Sequence, residues 1–206
     1  MRRAWPAISA GFISLVLLTF AVLLSGCGQT PPAPSYLDPY RPALKEASPA
    51  EEAAWASLPR YEITATLDIE NLTLSGRERI IFTNREQGDL TQIGFRLYPN
   101  LPQLGGDLTV TSITANGVQI DFSKIACNTS IVMRCDPALT PGQSAELDIR
   151  FTLTIPSRPK GYVLFGRTGK FISLPAFYPV LAVHDNEGWH VNEIAPRYAD
   201  ATFAES

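Results

Sequence analysis

Histidine is nearly absent from this 206-residue chain, which has only His184 and His190. A helical zinc site needs two imidazoles at i and i+4 with a glutamate between them as base. These two are six apart across Asp185-Asn186-Glu187-Gly188, which reads as a turn, so they cannot share one helical face and read as exposed loop residues. Cysteine is almost as scarce, with three and no CxxC spacing. There is no Gly-x-Ser-x-Gly turn, phosphate loop or Gly-rich dinucleotide fingerprint. The acidic pair Glu51-Glu52 reads as a solvated helix face. The formal net charge of -3, with no basic cluster interleaved with aromatics, sets nucleic acid aside as a partner. Continuous apolar runs of the parallel-strand type and long amphipathic helices are also missing, which argues against an α/β fold. The chain itself is therefore expected to supply no catalytic residue, no metal ligand and no cofactor.

What is present is alternation. Tyr61, Ile63, Ala65, Leu67 and Ile69 are apolar while the residues between them are polar, the period of a half-buried strand. Asn71 and Leu72 read as a turn. Leu74 to Asn84 reads as the returning strand, with Ile80 and Phe82 on the core side. Ile93, Phe95 and Leu97 mark a third strand that Pro99 ends by removing a backbone donor. Three sequential strands predict a meander. Leu108 to Ala115 is strand-like, and Asn116-Gly117 is a strong hairpin signal before Val118 and Ile120. Leu139-Thr140-Pro141-Gly142-Gln143 predicts a type II turn. Beyond it, Ala145, Leu147, Ile149, Phe151, Leu153 and Ile155 alternate with polar residues, giving one buried and one wet face. With 45% hydrophobic residues the chain can bury a core, and the pattern predicts an all-β, antiparallel β-sandwich of seven or more strands.

Ahead of this domain the composition changes. Arg2 and Arg3 precede an apolar run from Ala7 to Leu24, followed by Leu24-Ser25-Gly26-Cys27. The run sits at the lower edge of what spans a bilayer, so a retained transmembrane anchor is the alternative to a cleaved signal helix. The last four residues resemble the bacterial lipobox, which implies lipidation at Cys27 and a protein exported and lipid-anchored at the extracytoplasmic face of the cell membrane. Without Arg2 and Arg3 the balance is 15 basic against 20 acidic residues, or -5, so acyl chains rather than charge must hold it there. Residues 27–60 form a proline-rich linker ending in one short helix: Ser48-Pro49-Ala50-Glu51 is a capping box, and Pro59 stops the helix after Trp55 and Leu58. Trp55 is expected to pack this helix onto the sandwich, with a grip on substrate or membrane as the alternative.

In an exported chain with Cys27 lipidated, Cys127 and Cys135 remain as a pair. The seven residues between them suit a hairpin that would bring the thiols within reach of a disulfide worth roughly 2 to 3 kcal/mol. Two metal ligands are the competing reading, without CxxC spacing or a nearby histidine to support it. Asn71-Leu72-Thr73 and Asn128-Thr129-Ser130 fit a glycosylation acceptor pattern, read here as chance.

The segment from Tyr61 to Asn100, with Leu74-Ser75-Gly76, Ile81-Phe82-Thr83-Asn84 and Phe95-Arg96-Leu97-Tyr98-Pro99-Asn100, resembles the start of the N-terminal β-domain of aminopeptidase N-like zinc metallopeptidases, the gluzincins. The turn at 139–143 and the stretch Phe177 to Ala201 extend the resemblance over 61–206. Tyr198-Ala199-Asp200 stands where Tyr-Gly-Asp is common. The resemblance implies a saddle-like, non-catalytic domain that walls the cleft of a catalytic domain supplied in cis or in trans. It places zinc in that absent domain and peptide substrate only in the full enzyme. Phe177, Tyr178 and Pro179 are the part that would face the catalytic domain, with plain packing as the other reading. The family's Gln or Glu that grips the substrate amino group has no match in 169–179. The chain ends at Ser206 before a further strand of the family's domain, which implies a truncated or split gene, or a fragment, with an exposed sheet edge. The organisation expected is a signal peptide at 1–26, the linker and helix at 27–60, and the β-domain at 61–206. The alternative is a free-standing cell-envelope lipoprotein with an immunoglobulin-like binding sandwich.

Overall fold

A computed structural model of the chain describes residues 51, 54, 55, 58–160 and 165–192. The expected signal peptide at 1–26, Cys27, most of the expected linker and capping box, the Tyr198-Ala199-Asp200-Ala201 segment and Ser206 lie outside the described residues. Glu51, Ala54 and Trp55 are helical, and Trp55 is half-buried.

Two antiparallel sheets form the body. The five-stranded sheet contains β1 (Arg60–Asp68), β2 (Thr73–Thr83), β4 (Asp107–Ala115), β5 (Val118–Ile120) and β8 (Ser144–Thr154), in the order β1-β2-β8-β4-β5. The four-stranded sheet contains β3 (Leu90–Arg96), β6 (Phe122–Ile125), β7 (Ser130–Leu139) and β11 (Val180–Leu181), in the order β11-β3-β7-β6. Two hairpins complete the described strands: β9 (Gly166–Thr168) with β10 (Phe171–Ser173), and β12 (His184–Asp185) with β13 (Gly188–Trp189).

Alternation places β2 and β8 at the centre. Ile80 faces Leu147, Phe82 faces Ala145 and Leu74 faces Leu153, all buried between the sheets. Each of the leucine, isoleucine and phenylalanine side chains contributes about 1.5 to 3 kcal/mol when removed from water. The opposite face is wet and charged, with Arg79 Nη2 2.7 Å from Glu146 Oε2 and Arg77 Nε 2.7 Å from Asp148 Oδ2. Exposed pairs of this kind add little to stability and serve mainly to keep that face in solvent. The Asn116-Gly117 turn has both residues at positive φ, and Gly142 after Pro141 has φ 77°, as the turn signals require.

The predicted meander does not form. Ile93, Phe95 and Leu97 are fully buried, yet β3 pairs with β7 and β11 in the second sheet rather than with β2. Asn84 explains the departure. Its buried side chain donates to Leu139 O at 2.7 Å and to Gly88 O at 2.9 Å, and accepts from Glu86 N at 2.9 Å. Its backbone pairs with the turn after β7 through Gln143 O and Gly142 N. These bonds fasten the end of β2 to that turn and send the chain across to the other layer.

The expected alternation of β1 holds only in part. Its apolar row faces inward beside Leu74 and Ile80, but only Tyr61 and Ile63 are half-buried; Leu67 is 40% exposed and Ile69, beyond the strand, 58%.

Candidate functional site

One ionisable side chain is sealed in the core. The row Leu74, Gly76, Glu78, Ile80 and Phe82 on β2 points between the sheets, and Glu78 is 0% exposed. It lies opposite Ile63 on β1 and Ile149 on β8, and neither carboxyl oxygen has a hydrogen-bond partner. Burial disfavours the charged form and pushes its pKa up to about 9, so it carries its proton at neutral pH. An unpaired buried polar group costs about 1 to 3 kcal/mol.

An aromatic cluster lies beside it. Tyr61 meets Tyr178 edge to face at 5.8 Å, Tyr178 meets Phe177 at 5.4 Å, and Phe177 lies 6.5 Å from Phe151. The Tyr61 hydroxyl accepts the Leu181 N–H at 3.2 Å. Burial, with smaller contributions from Glu78 and Tyr178, raises the Tyr61 pKa despite that bond. Phe177 and Tyr178 are thus half-buried and Pro179 buried, anchored on the five-stranded sheet through Phe151 and Tyr61.

The two histidines are not the exposed loop residues expected. Both are half-buried on or beside the β12–β13 hairpin, because that hairpin folds over the outer side of β3. His184 packs on Trp189 at 4.8 Å and places Nδ1 3.1 Å from Glu86 Oε1, near enough for an ion pair when the ring is protonated although not aligned as a hydrogen bond. His190 Nε2 is 2.6 Å from Asp185 Oδ2. The Glu187 amide first and His190 second hold the Asp185 carboxyl below its ordinary range. Trp189 Nε1 donates to Gln92 O at 2.9 Å, and Val191 and Trp189 crowd Gly94, where a Cβ would sit 2.6 Å from Val191 Cγ1. Arg96 Nη1 donates to Ser130 Oγ at 3.1 Å and to Val191 O at 3.4 Å. A shallow depression bordered by Glu187, Gly188, Trp189, His190 and Asn192 is the opening here. Each histidine has its own carboxylate, a pinning arrangement that does not fit shared coordination of zinc. Among the described residues no three His, Cys, Asp or Glu side chains converge on one point.

The expected disulfide is absent: Cys127 and Cys135 are free, the first exposed and the second half-buried. The hairpin turns earlier than their midpoint. Ile125 already faces Ser130 and Phe122 faces Met133, so Cys127 lies in the 3-10 turn Ala126–Asn128 and Cys135 lies along β7. The five steps along β7 from Ser130 to Cys135 extend about 16 Å at about 3.3 Å each, well beyond bridging distance.

The asparagines and arginine of the Phe95 to Asn100 and Ile81 to Asn84 stretches hold loops and layers together. Sequence reasoning missed Glu78, although its signal was available: the parity that places Ile80 and Phe82 inward places Glu78 inward as well.

No family model and no curated protein matches the chain. Among solved structures it is similar to an M1 zinc metallopeptidase from Deinococcus radiodurans, at 21% identity and a TM-score of 0.37, over 47% of this chain and 20% of that one. A mutant of that Deinococcus radiodurans enzyme bound to a Tyr-Ser-Ala substrate gives the same values. A two-domain M1 zinc metallopeptidase mutant bound to L-tryptophan is 20% identical with a TM-score of 0.38, over the same shares. The matched part is about a fifth of each of those chains, and a likeness at this level carries no activity across.

Proposed function

We propose that the chain is a non-catalytic β-domain of a membrane-anchored zinc metalloaminopeptidase, which shapes the substrate cleft of a catalytic domain lying outside the described residues. The motif resemblance of residues 61–100 supplies the family, and the antiparallel sandwich is the fold that resemblance implies. Lipidated Cys27 would tether the protein on the extracytoplasmic face. Zinc and peptide substrate belong to the catalytic domain.

The observation that carries the reading is Phe171. It is 79% exposed on β10, while its neighbour Ile172 packs on the core and the same segment runs on into Phe177, Tyr178 and Pro179. A large aromatic side chain left in solvent is of the kind that interfaces bury as anchors. In this reading Phe171 meets the catalytic domain, while Phe177, Tyr178 and Pro179, half-buried or buried against Phe151 and Tyr61, hold the segment in place.

The test is to express the chain together with the reading frame that continues or adjoins it and to measure chelator-sensitive release of an aminoacyl chromophore. Phe171→Ser should lower kcat/KM at least tenfold without changing the unfolding transition of this domain. Unchanged activity contradicts the reading, as does a continuation without a zinc motif, which would favour a free-standing binding lipoprotein.

A further inference from the structure

The edges of the two sheets are unequal. β5 has three residues, β6 four and β11 two, whereas β1 runs for nine residues, Arg60–Asp68, without proline or lysine. Among the described residues β1 has β2 on one side and no strand on the other. Long straight edges of this kind are normally shortened, bulged or covered, because their unpaired N–H and C=O groups template another strand.

From the pattern along this edge we infer that β1 is a self-recognition strand, through which two copies of the chain pair antiparallel about Thr64 into one continuous ten-stranded sheet. The sequence of β1 is complementary to its own reverse. With Thr64 opposite the second copy's Thr64, Arg60 lies opposite Asp68 and Glu62 opposite Thr66 on the wet face. On the inward face Tyr61 lies opposite Leu67 and Ile63 opposite Ala65. Directly opposed residues share a face, so the register can slip only in steps that preserve parity. One step in one direction sets Glu62 against Asp68 twice, a like-charge pair, and brings Arg60 opposite Glu70 only beyond the end of the strand. One step in the other sets Arg60 against Thr66 and Asp68 against Leu58, losing both attractive pairs. Within the nine residues of β1 only the Thr64 register gives two opposite-charge pairs, in which Arg60 exchanges its Glu62 partner, 2.6 Å away, for Asp68, and matches every apolar residue of the strand with another.

The same register explains why the inward row of β1 is left open. Ala65 and Leu67 are exposed although they face the same side as buried Leu74 and Ile80. Pairing brings the second copy's Ile63 and Tyr61 beside them, extending the covered half of one strand over the uncovered half of the other. The pairing uses β1 rather than the β9–β10 hairpin and does not depend on the proposed catalytic partner.

The test uses the full chain in detergent, with the three native cysteines replaced by serine. Light scattering should show a dimer at tens of micromolar, and Arg60→Glu, which sets carboxylates at both ends, should weaken it at least tenfold. Under mild oxidation Thr64→Cys should cross-link to a covalent dimer, and Glu62→Cys should not, whereas Glu62→Cys with Thr66→Cys should. A monomer at these concentrations overturns the inference, as does cross-linking by Glu62→Cys alone. A monomer whose β1 amides resist hydrogen exchange shows another part of the chain on this edge and overturns it as well.

Discussion

Asn100 and Leu108 hold each other through both ends of one carboxamide: Asn100 Nδ2 donates to Leu108 O at 2.9 Å, and Asn100 Oδ1 accepts the Leu108 N–H at 2.5 Å. The same Nδ2 donates to Asn128 O at 2.7 Å, so one side chain ties the 3-10 turn after β3 (Tyr98–Asn100) to β4 and to the turn before β7. Asn100→Ala leaves the peptide groups it served without partners and is expected to cost about 3 kcal/mol at about 1 kcal/mol per bond. Denaturant unfolding measures the loss. A change under 1 kcal/mol would show that water replaces the side chain.

Glu78 makes stability depend on pH in one direction. The unfolded carboxyl ionises near its ordinary value of 4.5 while the folded one keeps its proton to about 9, so the native state binds more protons between these values. The Glu78 contribution to stability therefore falls as pH rises from 4.5 to 9 and is level outside that window, with about 3 kcal/mol lost by pH 7. Glu78→Gln should flatten the profile and Glu78→Leu should raise stability at pH 7 by a similar amount. Urea melts at pH 5, 7 and 9 measure both; a wild-type profile that rises from pH 5 to 9 contradicts the assignment.

Gly76 is the seat of a ring. It lies opposite Phe151 in the β2–β8 register, and a Cβ there would overlap Phe151 Cζ and lie 2.5 Å from Cε2. Gly76→Ala is expected to destabilise by about 1 to 3 kcal/mol through overpacking. Combining it with Phe151→Leu should cost at least about 1 kcal/mol less than the two changes summed, because the second removes the clash. Additive losses would show that the ring moves aside freely.

The thiols offer a direct check on the hairpin. Cys127 is exposed and should react with a thiol reagent at least tenfold faster than Cys135, which is half-buried and whose pKa burial raises. Mass under denaturing conditions should not change on reduction at this pair. A gain of two hydrogens would restore the bridge that the register excludes.

The parts of the fold legible in the sequence are those set by near neighbours. The alternation of β8 needs only a two-residue period, and Asn116-Gly117 and Pro141-Gly142 fix their turns by local backbone preference. Strand partnership is not legible: chain order points β3 to β2, and a buried asparagine bonded 55 positions away decides otherwise. The cysteine pair failed for a related reason, since the hairpin register follows Ile125 facing Ser130 rather than the midpoint between two thiols. In β1 the period was right and the burial was not, because alternation records which face is apolar and not whether anything covers it. For the histidines, the turn at Asp185 to Gly188 points to a loop, and their burial comes from packing on β3, far off in sequence.

The central claim is that these residues form a scaffold and that any peptidase chemistry comes from a catalytic domain. The most direct measurement is zinc content and aminoacyl-chromophore hydrolysis by the purified chain alone. The account predicts substoichiometric zinc and no turnover above the uncatalysed rate, and chelator-sensitive hydrolysis by this chain on its own would contradict it.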